Sequence, residues 1–273
     1  MSIFIENPNL PIDKVKTVIL DYRVDGEILS KLLYMDIDII KTERCNELYE
    51  AINGHPDILI HHIGGNSLVI APNIYDKVAG RFFKKGFALT KGATWLQRNY
   101  PENIAYNVLR MGKFAFHNTK YTDPEIIKLY EKYEVELIHV NQGYTKCSVC
   151  IVDEHSVITH DIGVARVLEK YGIEVLIIEP GDIDIVGLDY GFIGGSSGLI
   201  SRNVIAFTGS MKEMKSYNKI VEYIALKGID IKILSNKKIM DIGSIMPISY
   251  WSSKLLGWLG HWIIVLVTQI ILN

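Results

Sequence analysis

Acidic and amide side chains recur at the starts of short apolar segments along this sequence. Asp57, Asp189 and Asp241 begin three such segments, and Asn103 and Asn107 belong to a fourth. If these segments converge, several polar side chains address one point, which suits a small cation such as an amine or a guanidinium. The alternative is that the acids accept hydrogen bonds from neighbouring backbone N–H groups at strand ends.

Cys147 and Cys150 are the candidate nucleophiles, and His61 and His160 are the candidate bases. His61 and His62 are neighbours on a strand and so face opposite sides of the sheet, and at most one of them can face a shared site. The alternative is that both histidines have structural roles. Residues i and i+3 of a strand also face opposite ways, and one CxxC pair is a weak zinc signal. Buried inert thiols are the other interpretation of the cysteines. We predict no metal site and no cofactor.

The same order of elements recurs five times, and such a period determines the fold. The first strands are predicted at Val15–Leu20, Ser67–Ala71, Gly112–Phe116, Ser156–Thr159 and Asn203–Phe207. Helices with apolar residues at i, i+3 and i+4 follow at 25–34, 73–83, 122–133, 161–171 and 212–227. Each helix leads to a second strand. The third strands are predicted at Asp57–Ile63, Asn103–Leu109, Cys147–Val152, Asp189–Ile193 and Asp241–Ile248.

Turns join four of the third strands to the first strand of the next unit. The longest, Gly194–Asn203, is rich in glycine and leads into a strand, so we predict a turn and not a phosphate site. The fifth third strand has no successor, and Val15–Leu20 has no predecessor. Pairing the two removes both exposed edges. The predicted fold is therefore an α/β propeller of five β-α-β-β units.

Composition excludes some classes of protein. The chain has 273 residues and a formal net charge of −2, which gives no electrostatic case for nucleic acid. The three cysteines are an odd number, and the first residues lack the pattern of a signal peptide, so a reduced cytoplasmic setting is expected. The oligomeric state is left open.

The C-terminal segment differs from the repeat. Between Ser249 and Asn273 only Lys254 and His261 carry potentially charged side chains, and residues 255–272 are nearly continuous apolar sequence. We predict a propeller domain over residues 1–248 and a tail over 249–273 that forms an apolar helix. The tail either anchors the protein at a membrane or packs on protein, because its length is marginal for crossing a bilayer.

The repeat resembles the guanidine-modifying-enzyme superfamily, the penteins, over Val15–Ile248. The motifs that carry the resemblance are His55-Pro56-Asp57, the segment Gly143–Cys150, the segment Asp189–Gly195 and the segment Asp241–Pro247. They are similar to a branch found in clostridia-like bacteria. The superfamily includes arginine deiminases, dimethylarginine dimethylaminohydrolases, glycine amidinotransferases and a ribosome anti-association factor.

The resemblance implies a cysteine nucleophile on the last core strand, a histidine that moves protons, and two carboxylates that bind the guanidinium. Here the cysteine position falls on Gly243, beside Ser244, and the histidine position falls on Gly187. The leading hypothesis is therefore a pentein that binds a small cationic or guanidino ligand, or a protein partner, without the usual pair. The alternatives are a divergent hydrolase or amidinotransferase using Cys147 or Cys150, and a scaffold anchored at a membrane by its tail.

Overall fold

The computed structural model describes residues 2–252, which form five small sheets and seven α-helices. In chain order the elements are β1 (Ser2–Phe4), β2 (Val15–Leu20), α1 (Gly26–Tyr34), β3 (Asp38–Lys41), α2 (Pro56–Leu59), β4 (Ile60–Gly64), β5 (Ser67–Ile70), α3 (Pro72–Phe83), β6 (Ala88–Lys91), β7 (Leu109–Met111), β8 (Phe114–His117), α4 (Pro124–Lys132), β9 (Glu136–His139), α5 (Thr145–Ser148), β10 (Val149–Ile151), β11 (Ser156–Thr159), α6 (Ile162–Lys170), β12 (Glu174–Ile177), a 3₁₀ turn (Gly194–Ser196), β13 (Ser197–Ser201), β14 (Val204–Phe207), α7 (Tyr217–Leu226), β15 (Asp230–Ile233) and β16 (Met246–Trp251).

Every sheet repeats one pairing pattern. Its central strand is antiparallel to one neighbour and parallel to the other, and a helix connects the parallel pair. In the second sheet, for example, β5 is antiparallel to β4 and parallel to β6, with α3 between β5 and β6. A parallel pair requires such a crossover, because the chain must return to the same end of the sheet before the next strand can run in the same direction. The β-α-β-β order predicted from the sequence is confirmed for the described residues.

The last strand belongs to the first sheet. β16 pairs antiparallel with β2, with Met246 opposite Ile19, and this confirms the predicted pairing of the two ends of the repeat. The short strand β1 extends the sheet on the other side of β16. Both edges of β16 are therefore covered.

The helices bury one face each against their sheet. In α3, Ile74, Val78 and Phe82 recur at every fourth position and are fully buried, together with Leu68 and Ile70 of the adjoining strand. Each such side chain contributes roughly 1.5–3 kcal/mol of burial free energy. This burial fixes each helix against its own sheet.

Four of the predicted third strands begin later than expected. The strands predicted from Asn103 and Asp241 start only at Leu109 and Met246, after irregular turns. Asp57 and Cys147 do not lie on strands but on the single helical turns α2 and α5, and the strands start at Ile60 and Val149. Pro56 favours the turn at α2, because its fixed φ suits the first helical position.

The glycine-rich segment is a further correction. The residues predicted as a strand, Asp189–Ile193, are not part of one, whereas β13 occupies Ser197–Ser201 inside the predicted turn. Gly198 of β13 packs directly on the backbone of Ile245, where a Cβ would overlap the Ile245 carbonyl oxygen. Gly198 therefore permits close packing of two neighbouring segments of the chain.

The described residues contain no helix that is long and apolar enough to span a membrane. β16 continues through Trp251, and the predicted apolar segment at residues 255–272 lies outside the described residues. The division of the chain at residue 248 and the role of the tail stay predictions.

Candidate functional site

Five turns contact one another, and we call them the hub turns. Each precedes the strand that runs antiparallel to the central strand of its sheet, namely β4, β7, β10, β13 and β16. The hub turns are Pro56–Leu59, 103–108, Thr145–Ser148, Gly194–Ser196 and 241–245. Backbone hydrogen bonds join several of them: Asp57 N–H donates to the Gly243 carbonyl at 3.3 Å, and Ser244 N–H donates to the Gly195 carbonyl at 2.7 Å. Side chains join the others.

Asn107 connects three hub turns. Its Nδ2 donates to the Asp57 carbonyl at 3.1 Å, and its Oδ1 accepts from the backbone N–H groups of Lys146 and Cys147 at 2.8 and 3.2 Å. The first N–H groups of a helical turn have no partner within the turn, so Asn107 satisfies two of them from outside. This external acceptor explains why the chain is helical rather than extended at Cys147.

Ser244 connects the last hub turn to the first and third. Its hydroxyl donates to Asp57 Oδ2 at 2.6 Å, lies 2.9 Å from the Gly194 carbonyl oxygen, and accepts from the Lys146 ammonium at 2.9 Å. All four residues are buried. The carboxylate of Asp57 is thereby held in one orientation by a charge-assisted hydrogen bond.

The Cys147 thiol lies on the opposite side of the same carboxylate. Sγ donates to Asp57 Oδ1 at 3.1 Å and accepts from Asn107 Nδ2 at 3.1 Å, and the residue is 2% exposed. Burial, followed by the negative charges of Asp57 and Asp241, raises the pKa of this thiol well above its ordinary value. In the ligand-free protein Cys147 is therefore a thiol and not a thiolate.

His55 packs against the last hub turn. Gly243 has a φ of +71°, and a Cβ there would overlap Cα, Cβ and Cγ of His55. His55 Nδ1 is buried, has no hydrogen-bond partner among the described residues, and lies 3.8 Å from Asp241 Oδ1. The resemblance to penteins predicted a nucleophile at Gly243, but the imidazole of His55 fills the space that such a side chain would need.

Asp241 is the second buried carboxylate of the hub. Oδ1 accepts from Gly243 N–H and Oδ2 from Phe192 N–H, both at 2.9 Å, and a side chain at Gly195 would overlap this carboxylate. Burial raises the pKa of Asp241, the charge of His55 acts against that rise, and the charge of Asp57 adds to it. A cation beside the two carboxylates would remove this electrostatic penalty.

A cavity of about 300 Å³ opens onto these groups. Cys147, His55 and Asp241 contribute its reactive side chains, and its walls are aromatic and aliphatic: Tyr49, Ile52, Tyr144, Ile185, Leu188, Tyr190 and Phe192. The exposed Asp189 also lines it. No lysine or arginine is among the described residues that line this cavity. The cavity is therefore acidic and aromatic, as suits a small organic cation.

The structure places the predicted ligand-binding residues in different roles. Asp241 lines the cavity, Asp57 lies behind Cys147, and Asn107 holds both Cys147 and the Asp57 backbone. Asp189 lines the cavity as an exposed side chain. Asn103 accepts a hydrogen bond from the Tyr144 hydroxyl at 2.9 Å, so it supports a wall residue and does not line the cavity.

Three of the four predicted catalytic residues lie away from the reactive groups of the cavity. Cys150 is fully buried in the apolar core, and burial raises its pKa to about 11. His61 lies 2.5 Å from the Tyr130 hydroxyl, and burial lowers its pKa well below the ordinary value. His160 stacks on Phe192 with ring centroids 5.4 Å apart, which places it behind a wall. Cys147 is the predicted nucleophile that faces the cavity.

His55, Ser244 and Lys146 belong to the site but were not candidates from sequence. His55 stands two residues before Asp57, and Ser244 follows the glycine at the family's nucleophile position, so their neighbours gave a signal. Nothing in the sequence marked Lys146. One atom from each of His55, Asp57 and Cys147 can act as a metal ligand, and these three atoms lie within 4.8 Å of one another.

Several solved structures are similar to this chain along most of its length. Substrate-bound agmatine deiminase of C. jejuni matches with a TM-score of 0.54 and 11% identity, over 92% of this chain and 97% of that one. Inosamine-phosphate amidinotransferase of Streptomyces griseus matches with a TM-score of 0.53 and 11% identity, over 83% and 90%. DDAH of Pseudomonas aeruginosa, complexed with citrulline, matches with a TM-score of 0.51 and 10% identity, over 81% and 92%.

These similarities show that the chain has the pentein fold. The model of a family described as "Family of unknown function (DUF6873)" matches residues 19–246. Among curated proteins, no sequence matches the chain.

Proposed function

Because the chain belongs to the family of unknown function DUF6873 and has the pentein fold, we propose that it modifies a guanidino compound with Cys147 as the nucleophile. One observation carries the proposal. A buried thiol, a histidine and a buried carboxylate, Cys147, His55 and Asp241, line one cavity, and a second carboxylate, Asp57, contacts the thiol. These are the groups that attack on a guanidinium carbon requires.

The acidic side chains of the site favour a substrate that carries a positive charge. Burial, and after it the charges of Asp57 and Asp241, raise the pKa of Cys147, and burial raises the pKa of Asp241. A guanidinium bound in the cavity against Asp241, with Asp57 behind the thiol, supplies the missing positive charge, donates hydrogen bonds to Asp241 in its own plane, and brings its carbon towards Cys147 Sγ. The same charge lowers the thiol pKa, so the substrate itself promotes formation of the thiolate.

The reaction then follows the groups present. The Cys147 thiol transfers its proton to His55 as Sγ forms a bond to the guanidinium carbon, and the C–N bond to one nitrogen then breaks as that nitrogen leaves with this proton as ammonia or an amine. His55 is the group placed to deliver this proton. Attack by water on the resulting S-amidino group gives a ureido product and regenerates the thiol, which is a hydrolase reaction. Attack by a second amine gives a new guanidine, which is an amidinotransferase reaction.

The position of Cys147 implies that the nucleophile has moved within the repeat. We propose that the five sheets surround a common pseudo-fivefold axis and that the hub turns are equivalent positions around it. The resemblance to penteins puts the nucleophile on the fifth unit, at Gly243, whereas Cys147 belongs to the third. The contacts among the hub turns support this arrangement, because successive units supply Asp57, Asn107, Cys147, Gly195 and Ser244.

The lining of the cavity limits the substrate. With Asp189 and Asp241 and without a lysine or arginine among its described lining residues, the cavity has no group to pair with a substrate carboxylate. A carboxylate buried without a partner costs several kcal/mol. The proposed substrate is therefore a guanidinium on a neutral or cationic chain.

The test is turnover by tag-free, chelator-treated protein. Ammonia, released amine and ureido product are measured with alkylguanidines, agmatine and arginine. Cys147→Ser is expected to lower kcat by at least about 1000-fold, as loss of a nucleophile does, and Cys150→Ser is the matched control that keeps activity. Mass spectrometry should find the S-amidino adduct on Cys147. Full activity of Cys147→Ser would overturn the proposal.

The raised pKa of the Cys147 thiol favours a second candidate function, binding of the cation without turnover. In that case calorimetry gives saturable binding of an alkylguanidine that Asp241→Asn removes, while no product forms at any substrate concentration. Product formation by the native protein excludes this candidate.

A further inference from the structure

We propose that the hub also binds a zinc ion, through His55 Nδ1, a carboxylate oxygen of Asp57 and Cys147 Sγ. One imidazole nitrogen of His55, one carboxylate oxygen of Asp57 and Cys147 Sγ lie within 4.8 Å of one another. Bonds of about 2.0–2.3 Å to a tetrahedral zinc ion place ligand atoms roughly 3.5 Å apart. The Sγ–Oδ1 pair, at 3.1 Å, is already at this spacing. Side-chain movements of about an ångström complete the site.

The environment of His55 is the independent observation. Nearly all buried polar atoms in proteins have a hydrogen-bond partner, and His55 Nδ1 has none among residues 2–252 although the residue is 1% exposed. The lone pair of a neutral imidazole nitrogen is a zinc ligand. A metal ion between His55, Asp57 and Cys147 therefore gives Nδ1 the partner that the protein does not supply.

The donor set selects the metal. A thiol, an imidazole and a carboxylate suit zinc, whereas magnesium and calcium prefer oxygen ligands only. The neighbouring groups are arranged as outer partners of metal ligands are: Asn107 donates to Cys147 Sγ, and Ser244 donates to Asp57 Oδ2. Asp241 Oδ1, 3.8 Å from His55 Nδ1, is the nearest candidate for a fourth ligand.

Zinc and substrate would compete. The inference that metal controls activity rests on the proposed function, because a zinc ion on Cys147 Sγ occupies the electron pair that attacks the guanidinium carbon. Zinc binding releases the thiol proton to solvent and leaves the thiolate as a ligand. Removal of the metal returns a free thiol. The metal is therefore a reversible inhibitor and not part of the reaction.

Cobalt is the probe for the site, because a thiolate bound to Co²⁺ gives a charge-transfer absorption band in the near ultraviolet. We expect tag-free, chelator-treated protein to bind one Co²⁺ with this band, and Zn²⁺ to displace it. Cys147→Ser should lose the band, and the matched variant Cys150→Ser should keep it. Asp57→Asn, which preserves the side-chain shape, should weaken metal binding by more than about 100-fold, above the 10–100-fold cost of losing an outer partner.

The outcomes separate the two proposals. Absence of the thiolate band in the native protein, or its persistence in Cys147→Ser, overturns the metal site and leaves turnover by the chelator-treated protein unaffected. A band with one equivalent of Co²⁺, but no turnover of any guanidino compound, supports the metal site and overturns the proposed reaction. If both hold, addition of Zn²⁺ abolishes turnover and a chelator restores it.

Discussion

His55 occupies the space in which a side chain at position 243 would stand. Gly243, with its φ of +71°, is the position at which the resemblance to penteins predicted a nucleophile, and a Cβ there would overlap the imidazole side chain. His55 can therefore occupy this position only because residue 243 has no side chain. A cysteine cannot simply be restored at position 243 without displacing His55.

We expect Gly243→Ala to lower the free energy of unfolding by about 2–4 kcal/mol, because it combines a strained positive φ with overlap against His55. Gly172→Ala is the matched control, since Gly172 has a φ of +77° but open space around it. Its cost should be about 1–2 kcal/mol. Urea unfolding measures both. Equal costs for the two variants would contradict the packing argument, and adding His55→Gly should recover part of the loss at position 243.

The reactivity of Cys147 should depend on pH and on ligand. Since burial and the neighbouring acids raise its pKa, alkylation by iodoacetamide should be slow at pH 7 and accelerate as the pH rises. An alkylguanidine present at saturation should shift the onset to lower pH, because its charge favours the thiolate. Fragment mass spectrometry separates Cys147 from Cys150, whose pKa burial raises to about 11 without any contribution from a neighbouring acid. Protection without any shift would argue against contact between the cation and the thiol.

Stability should fall in mild acid. Burial lowers the pKa of His62 and His117 to about 4, from an ordinary value of 6.5. The unfolded chain therefore binds protons first, so stability is present above pH 6.5 and is lost as the pH falls from about 6.5 through 4. At pH 5 each histidine accounts for a loss on the order of 2 kcal/mol.

Urea unfolding between pH 7 and pH 5 tests this for His117. His117→Gln should reduce the slope of stability against pH by the contribution of one histidine. Leu168→Ala lowers stability through a core cavity and should leave that slope unchanged. A slope that is the same in His117→Gln and the native protein would refute the assignment.

Substrate preference follows from the two acids that line the cavity. Asp241→Asn should weaken binding of an alkylguanidine by more than about 30-fold, because it removes a buried charge partner. Asp189→Asn should weaken it only about 2- to 5-fold, since exposed ion pairs contribute less than roughly 1 kcal/mol. Calorimetry with the Cys147→Ser protein measures binding apart from turnover. Arginine should bind at least 10-fold more weakly than an alkylguanidine of the same length, and equal binding would contradict the assigned preference.

Much of the fold could be predicted from local sequence patterns. The central strand β2 was predicted with its observed bounds from a run of apolar residues, and Asp161 caps its helix as its position before an apolar periodic segment indicates. The pairing of β16 with β2 was predicted because each of these strands would otherwise have had an unpaired edge. These features depend on short-range periodicity and on the rule that edges are covered.

The site was harder to predict, because contacts between distant residues decide it. Asn107 makes the backbone at Cys147 helical, and the predicted strand there was wrong for that reason. Gly194 makes room for neighbouring backbone, and Gly195 makes room for the Asp241 carboxylate. In the sequence alone, these glycines indicate only a turn. His61 was a candidate base because of its place on a strand, but its Nε2 is hydrogen-bonded to the Tyr130 hydroxyl of a different unit.

The pairing of Met246 with Ile19 also has a consequence for how the chain acquires its structure. β2 can hold β3 as soon as α1 has formed, but its antiparallel partner is made only when almost all of the described chain has left the ribosome. Until then one border of the first sheet is open to adventitious pairing. New termini placed at an exposed turn such as Asp153-Glu154, with a linker between the present ends, would let β16 and β2 emerge together.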